Sequence, residues 1–305
     1  EASAPVLLTF DTEKVDDERY LKELDIKVPA TYFFLGKFIE NHSDFVRQIS
    51  RNNTVGSHGY SHKNLTKLST SELHQELMLT KVLLENATGK TPKWFRAPFL
   101  AYNDEVFTQL KELGFLYDSS EQEPWTKQYT LLEMPVSGEA ESDDLISDYD
   151  VFVSEKLSDE QALDWYKKQY LIRAETGRPM VFLLHPSIIV EHKEVLWKFI
   201  AFVQSQGGTF ISSDQWIEKV FSKTAKRVGV WIDLTVGEHK VEQLVADIKR
   251  IGVTDAFLMA KDHDGHIYFK ASEEESENNP ACTREAFISR QIFSGWAIMK
   301  VQTKK

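Results

Sequence analysis

Residues 1–222 are predicted to form an α/β domain around a mostly parallel sheet or barrel. Short apolar runs of strand length alternate with stretches whose apolar residues recur at helical spacing. Helix starts and stops are marked by capping residues and by Gly or Pro. Asp11, His58, Arg96, Asp118 and His185 each fall just after a predicted strand. That is the end at which parallel β/α barrels carry their working groups. Loops that simply begin with a polar residue account for one or two of these positions, not for this choice of types.

Residues 6–10 are the first buried strand, 31–35 an aromatic-rich second and 54–57 a brief third. Between the last two, residues 37–50 place Phe38, Ile39, Phe45, Val46 and Ile49 at helical spacing. Ser69, with Glu72 three residues on, reads as a capping box for a helix reaching about Ala87, before Gly89 and Pro92. A strand at 93–97, a helix at 104–113 and a strand at 115–118 follow. Residues 119–150 read as irregular, with one strand at 131–136. A helix at 159–176 ends at Gly177, and the very apolar strand 180–184 closes on His185-Pro186. A helix at 194–206 stops at Gly207-Gly208, and a short strand at 210–211 leads into a helix around 214–221.

The basic stretch 223–227 separates this domain from residues 228–305, a small or truncated α/β segment. It reads as one β-α-β unit: strand 228–232, helix 241–251 and strand 256–259, then a hairpin through Asp264-Gly265. Residues 273–279 are acidic and polar, expected as loop or disorder, and the tail 283–305 has no obvious partner. One such unit cannot close a barrel, so the segment is expected to dock on the first domain or to begin a truncated second one. His263 and His266 fit an exposed turn and receive no role.

With 305 residues, 42% of them hydrophobic, the chain can bury a sizeable core. Its net charge of −11 argues against a nucleic-acid backbone as main partner, because phosphate neutralisation needs Lys and Arg. No apolar run is long enough for a transmembrane helix. Cys282 is the single cysteine; it permits no intrachain disulfide and reads as a passive residue. The chain opens Glu-Ala-Ser-Ala and carries sequons at Asn41, Asn52, Asn64 and Asn86. An extracellular or envelope protein that has lost a signal peptide is expected, a trimmed chain being the other reading.

The chemistry concentrates in four places. His58 and His62 stand four apart, which on a helical turn sets both imidazoles on one face, suited to zinc with a third ligand from elsewhere; chance pairs of this spacing also occur. Asp11 and Glu13 follow a buried strand, where carboxylates need a partner, either a metal or a cationic side chain, unless the loop start is solvated. Arg96, after the fourth strand, can pair with such a carboxylate and orient it. His185, at the end of an apolar strand, suits a general acid, or is a plain core or loop histidine.

In order and spacing these pieces resemble the NodB-type polysaccharide deacetylases, the fourth carbohydrate esterase family. Thr9-Phe10-Asp11-Thr12-Glu13 resembles its Thr-Phe-Asp-Asp-Gly motif, and His58–His62 with Asn64-Leu65-Thr66 its His-(Ser/Thr)-x-x-His motif. Residues 96–100 resemble Arg-x-Pro-(Tyr/Phe)-Gly, and Leu183-Leu184-His185 resembles Leu-x-Leu-His. The family's Asp/Trp motif is matched faintly by Tyr117-Asp118-Ser119-Ser120. The resemblance implies a distorted (β/α) barrel of NodB type and one divalent metal, zinc first, with cobalt, nickel or iron also suited to the donors. It implies hydrolysis of N-acetyl groups on an amino-sugar polysaccharide of peptidoglycan, chitin or poly-GlcNAc type. By the same resemblance His58 and His62 bind the metal, and Asp11 is the general base toward water polarised by it. Arg96 orients Asp11, His185 protonates the leaving amine, and Pro98 and Phe99 contact substrate, the Phe99 N–H serving the oxyanion.

The chain departs from the pattern at Thr12, which replaces the acid expected as third ligand, so Glu13 is taken for that role. Leu100 replaces the closing Gly and is expected to crowd the pocket. The missing Trp leaves Glu121, Glu123 or Trp125 as stand-ins. Two further readings stay open: a carbohydrate-binding protein with a decayed site, and a metal-independent hydrolase of cyclic amides with the same fold. Residues 230–233 weakly resemble the opening of a glycoside-hydrolase-like barrel, with Asp233 as a structural or remnant acid.

Overall fold

The computed structural model describes residues 3–123, 131–139, 145–222, 229–233, 255–259 and 298–302. The chain divides into two compact units, residues 1–216 and 217–305.

The first unit is a curled parallel sheet with helices packed on it, a distorted (β/α) barrel. Its strands are β1 (Pro5–Thr12), β2 (Ala30–Phe34), β3 (Thr54–Ser57), β4 (Trp94–Phe95), β5 (Tyr117–Asp118), β6 (Leu132–Glu133), β7 (Met180–Leu184) and β8 (Thr209–Phe210). They run in the order β6-β5-β4-β3-β2-β1-β7, every neighbouring pair parallel. Along β1, Val6–Phe10 pair with β7, Leu8–Thr12 with β2, and Pro5 and Val6 with β8. The β2 and β8 partners do not overlap, so those two strands share one edge of β1.

Strands β6 and β7 do not pair, and irregular chain bridges them instead. Ser147 is bridged to Leu183, the Ser137 N–H donates to the Val181 carbonyl, and the Leu183 N–H donates to the Ile146 carbonyl. The gap is thereby sealed by loop rather than by a ladder.

β1, β2 and β7 are buried on both faces, which is why they read as near-continuous apolar runs. A column of rings, Phe10, Tyr32, Phe34 and Phe38, stacks with centroids 5.1–6.1 Å apart and ties β1 and β2 to helix α2 (Gly36–Ile49). Helix α3 (Thr70–Thr88) starts at the Ser69–Glu72 capping box and ends at Gly89 with φ +70°. Helix α5 (Asp159–Thr176) repeats the design with Ser158, Gln161 and Gly177. Helix α4 (Asp104–Glu112) is capped by Asn103. Helix α7 (Lys193–Ser205) and helix α8 (Ser213–Ser222) follow β7 and β8.

Three elements were not foreseen in the sequence. Helix α1 (Asp17–Leu24) was not foreseen, because only Leu21 and Leu24 give its buried face an apolar pattern. Helix α6 (Pro186–Ile189) is a single turn, too short for a periodicity signal. Tyr149–Ser154 forms a π-helical turn that begins at the end of the stretch read as irregular. The strands expected at 93–97, 115–118 and 131–136 reduce to two residues each.

In the second unit β9 (Gly229–Asp233) pairs parallel with β10 (Asp255–Met259). No partner for the tail is obvious in the sequence; in the structure β11 (Ile298–Gln302) pairs antiparallel with β10. The expected helix 241–251, the hairpin at 264–265, the stretches 223–227 and 273–279, His263, His266, Trp125 and Cys282 lie outside the described residues.

One glycine in β3 fixes the layer beneath the site. A Cβ on Gly56 would lie 2.8 and 2.9 Å from the Phe33 ring and 2.9 Å from the Trp94 Cβ. Gly56→Ala is therefore expected to destabilise the fold by about 1–3 kcal/mol through overpacking, measured by urea denaturation.

Candidate metal centre and active site

Alternation along β1 decides which of its polar residues reach the site. Thr9, Asp11 and Glu13 fall in one phase, Thr12 in the other. Thr12 is fully buried and its hydroxyl donates to the Phe33 carbonyl at 2.8 Å. It is committed to the sheet, so Glu13, one residue beyond β1, brings the carboxylate instead.

The Glu13 carboxylate meets two imidazoles. Its Oε1 lies 2.9 Å from His62 Nε2 and 3.8 Å from His58 Nε2, and one ligand atom from each residue fits within 4.8 Å of the others. Burial would raise the pKa of Glu13, but the facing imidazoles of His58 and His62 lower it far below the usual carboxylate range.

The histidine pair is not helical, contrary to the expectation from its spacing. His58 follows β3, Gly59 turns the chain at φ +76°, and His62 itself sits at φ +58°. The loop is held by Glu76 of α3, whose Oε2 accepts the Tyr60 and Ser61 N–H groups at 3.1 and 2.9 Å. The ring centroids of His58 and His62 end 5.4 Å apart.

The donor set fits a divalent metal. His58 Nδ1 lies 2.9 Å from the Arg96 carbonyl, which can only accept, so Nδ1 carries the proton and Nε2 presents its lone pair. His58 Nε2 is buried without a hydrogen-bond partner, and His62 Nε2, also buried, meets only Glu13 among the described residues. Two imidazole nitrogens and one carboxylate oxygen are the three protein ligands of many catalytic zinc sites.

Beside this cluster lies Asp11. Arg96, fully buried at 0% exposure, donates to Asp11 Oδ1 at 2.9 Å and to Thr9 Oγ1 at 2.7 Å. Its remaining donors reach the Ser119 carbonyl and hydroxyl at 2.9 and 2.7 Å, and the guanidinium lies 4.4 Å above the Phe33 ring. Asp11 is thus fixed from one side, its other oxygen 3.8 Å from His58 Nε2.

His185 enters from the end of β7. Asp148 accepts its backbone N–H at 2.6 Å and faces its Nδ1 at 2.8 Å, leaving Nε2 3.7 Å from Glu13 Oε1. Burial pulls the His185 pKa down, but the Asp148 carboxylate, with Asp11 and Glu13 beyond it, outweighs this and raises it to about 9.

Pro98 is buried, while Phe99 is 65% exposed with its ring centroid 4.4 Å from that of His62. Phe99 and Leu100 both adopt left-handed backbone, at φ +60° and +51°. The cost of Leu100 is therefore conformational.

In the faintly matched stretch 117–120, Asp118 is buried and accepts hydrogen bonds from the Ser120 N–H and hydroxyl; a second acid–aromatic pair, Asp148-Tyr149, lies beside His185. Among the proposed stand-ins, Glu123 pairs with Arg173 and Arg178, and Glu121 donates its N–H to Glu133. Asp148, Glu76 and Asp17, which accepts the Glu13 N–H, were missed in the sequence. Asp148 lies in an acidic stretch with no periodicity. Glu76 was visible as an acid beside the leucines of the buried helix face.

The profile of the family described as "Polysaccharide deacetylase" matches residues 2–117, which carry Asp11, Glu13, both histidines and Arg96. Over those residues the chain is similar to the polysaccharide deacetylases. Among curated deacetylase relatives, a peptidoglycan-N-acetylglucosamine deacetylase of Bacillus cereus is 34% identical over 116 residues, 35% of this chain and 40% of that protein. A peptidoglycan-N-acetylmuramic acid deacetylase of Bacillus subtilis is 33% identical over 90 residues, 29% of this chain and 19% of that one. The chain thus spans less than half the length of these relatives. A Mycobacterium smegmatis structure assigned to the polysaccharide deacetylases superposes with TM-score 0.58 at 20% identity, over 73% of this chain and 92% of that one. A Bacillus subtilis peptidoglycan deacetylase gives TM-score 0.52 at 20% identity, over 73% and 95%. These structural likenesses concern the fold.

Leu100→Gly relieves the left-handed strain and loosens the unfolded chain. A net gain of about 0.5–1 kcal/mol in unfolding free energy is expected in denaturant titration.

Proposed function

We propose that this chain is a metal-dependent hydrolase that removes N-acetyl groups from an amino-sugar polysaccharide of the cell envelope. One observation carries the reading: a Glu13–His58–His62 cluster opens beside both an Arg-held acid and an Asp-held histidine. The curated relatives, named for peptidoglycan deacetylation, support a glycan of that kind. The domain assignment goes with it: residues 1–222 as the deacetylase domain, and 228–305 as a small α/β appendage.

Glu13, His58 and His62 would hold the ion, and zinc suits two imidazoles and a carboxylate best. When bound, such an ion supplies a Lewis acid that polarises the amide carbonyl and makes water acidic. Asp11, oriented by Arg96, takes the proton of the attacking water. The Phe99 N–H is the donor assigned to the carbonyl oxygen as it gains charge. His185, cationic through neutral pH because of Asp148, gives a proton to the leaving amine. Water and amide thereby become acetate and a free amino sugar.

Purified protein is expected to hold about one divalent ion per chain by elemental analysis, and His58→Ala or His62→Ala to hold none while remaining folded. Unchanged metal content in both variants would remove the ligand assignment. Asp11→Asn is expected to keep the ion and lose about 10²–10⁴-fold in acetate release from an N-acetylated chito-oligosaccharide. Full turnover in that variant would remove Asp11 as the base. Metal-loaded parent protein that binds the oligosaccharide without releasing acetate would favour a glycan-binding role.

A further inference from the structure

The carboxylate of Asp17 lies in the first turn of α1 and is 1% exposed. Its Oδ2 accepts the backbone N–H of Glu13 at 2.6 Å and that of Lys14 at 2.8 Å. The Asp17 N–H in turn donates to the Lys14 carbonyl at 3.2 Å, closing the turn 14–17 on itself. Its Oδ1 is buried with no hydrogen-bond partner.

Burying a carboxylate is unfavourable unless donors compensate it. Here two consecutive amides aimed at one oxygen offset part of that cost, and both belong to the segment that leaves β1 with Glu13. The β1 ladder to β2 ends at Thr12. Glu13 is thus the first residue that the sheet no longer positions, while its side chain must meet two imidazoles. Glu76 plays the matching part in the histidine loop, where one carboxylate oxygen collects the consecutive N–H groups of Tyr60 and Ser61.

We infer that Asp17 is a positioning residue for the metal centre, fixing the backbone of Glu13 so that its carboxylate faces His58 and His62. This rests on the metal-binding role proposed for those three residues. Asp17 touches no reacting group; it acts through the Glu13 and Lys14 amides. Asn in its place keeps one acceptor oxygen, which is all the two amides require, whereas Ala removes it. Ser, shorter by an atom, cannot bridge both.

Zn(II) affinity by chelator competition, with backbone amide exchange of the metal-free protein, tests this. Asp17→Ala and Asp17→Ser are expected to weaken Zn(II) binding by about 10–100-fold, the usual effect of losing a partner behind a ligand, with Asp17→Asn within about threefold of the parent. Exchange at Glu13 and Lys14 should rise in Ala and Ser but not in Asn, with protection of β2 and β7 unchanged. Parent-like Zn(II) affinity in Ala or Ser would overturn the inference, as would lost protection throughout the sheet in both. Parent protein that takes up no Zn(II), or Glu13→Gln that binds as tightly as the parent, would instead overturn the underlying metal assignment.

Discussion

The buried guanidinium of Arg96 is the constraint on which the site depends. A fully buried cation is tolerated only if its donors are satisfied, and here they reach Asp11, Thr9 and both oxygens of Ser119. Those partners come from β1 and from the residue following β5, on opposite sides of β4. The ion pair therefore fixes the registration of strand ends across the sheet as well as the direction of one carboxylate. Its own backbone takes part, since the Arg96 carbonyl faces His58 Nδ1 and leaves Nε2 turned toward Glu13. One residue thus couples the acid, the histidine and the strand framework, and the Phe33 ring above Gly56 supports it from below.

The charges of the site are arranged so that each buried ionisable group has a counterpart of fixed origin. Glu13 faces imidazoles, Asp11 faces Arg96, and His185 faces Asp148. The acids enter from β1 and from the chain before the π-helical turn, so no single segment carries all of the electrostatic cost. This division lets a low-dielectric mouth hold several ionised groups that would repel or neutralise if crowded on one element.

Much of this frame was legible in the sequence. β3, β7 and α5 have the predicted bounds, because apolar runs and capping signals are local. Asp11, Glu13, His58, His62, Arg96 and His185 were singled out by type and position, and the structure brings them together. What was not legible depends on tertiary contact. Helix α1 shows too few apolar residues for its periodicity to register. The His58–His62 spacing suggested a helical turn, yet left-handed backbone at Gly59 and His62 does the work, and spacing alone cannot distinguish the two. Asp148 is about forty residues from any residue it helps, within chain that has no secondary-structure rhythm. A partner chosen by proximity across the barrel leaves no mark on local sequence.

The unpaired edge between β6 and β7 has a bearing on how such a scaffold can diversify. Elsewhere in the sheet, inserting or deleting a residue would slip a ladder and turn side chains to the wrong face. Along this seam the described chain meets β7 through single contacts of Ser137, Ile146 and Ser147 and not through a ladder, so a change of length there slips no strand register. The same stretch delivers Asp148 and Tyr149 beside His185. Variation in the shape of the mouth is in this way mechanically decoupled from the strands that hold Asp11, His58 and Arg96, and its contour can change with little risk to the fold.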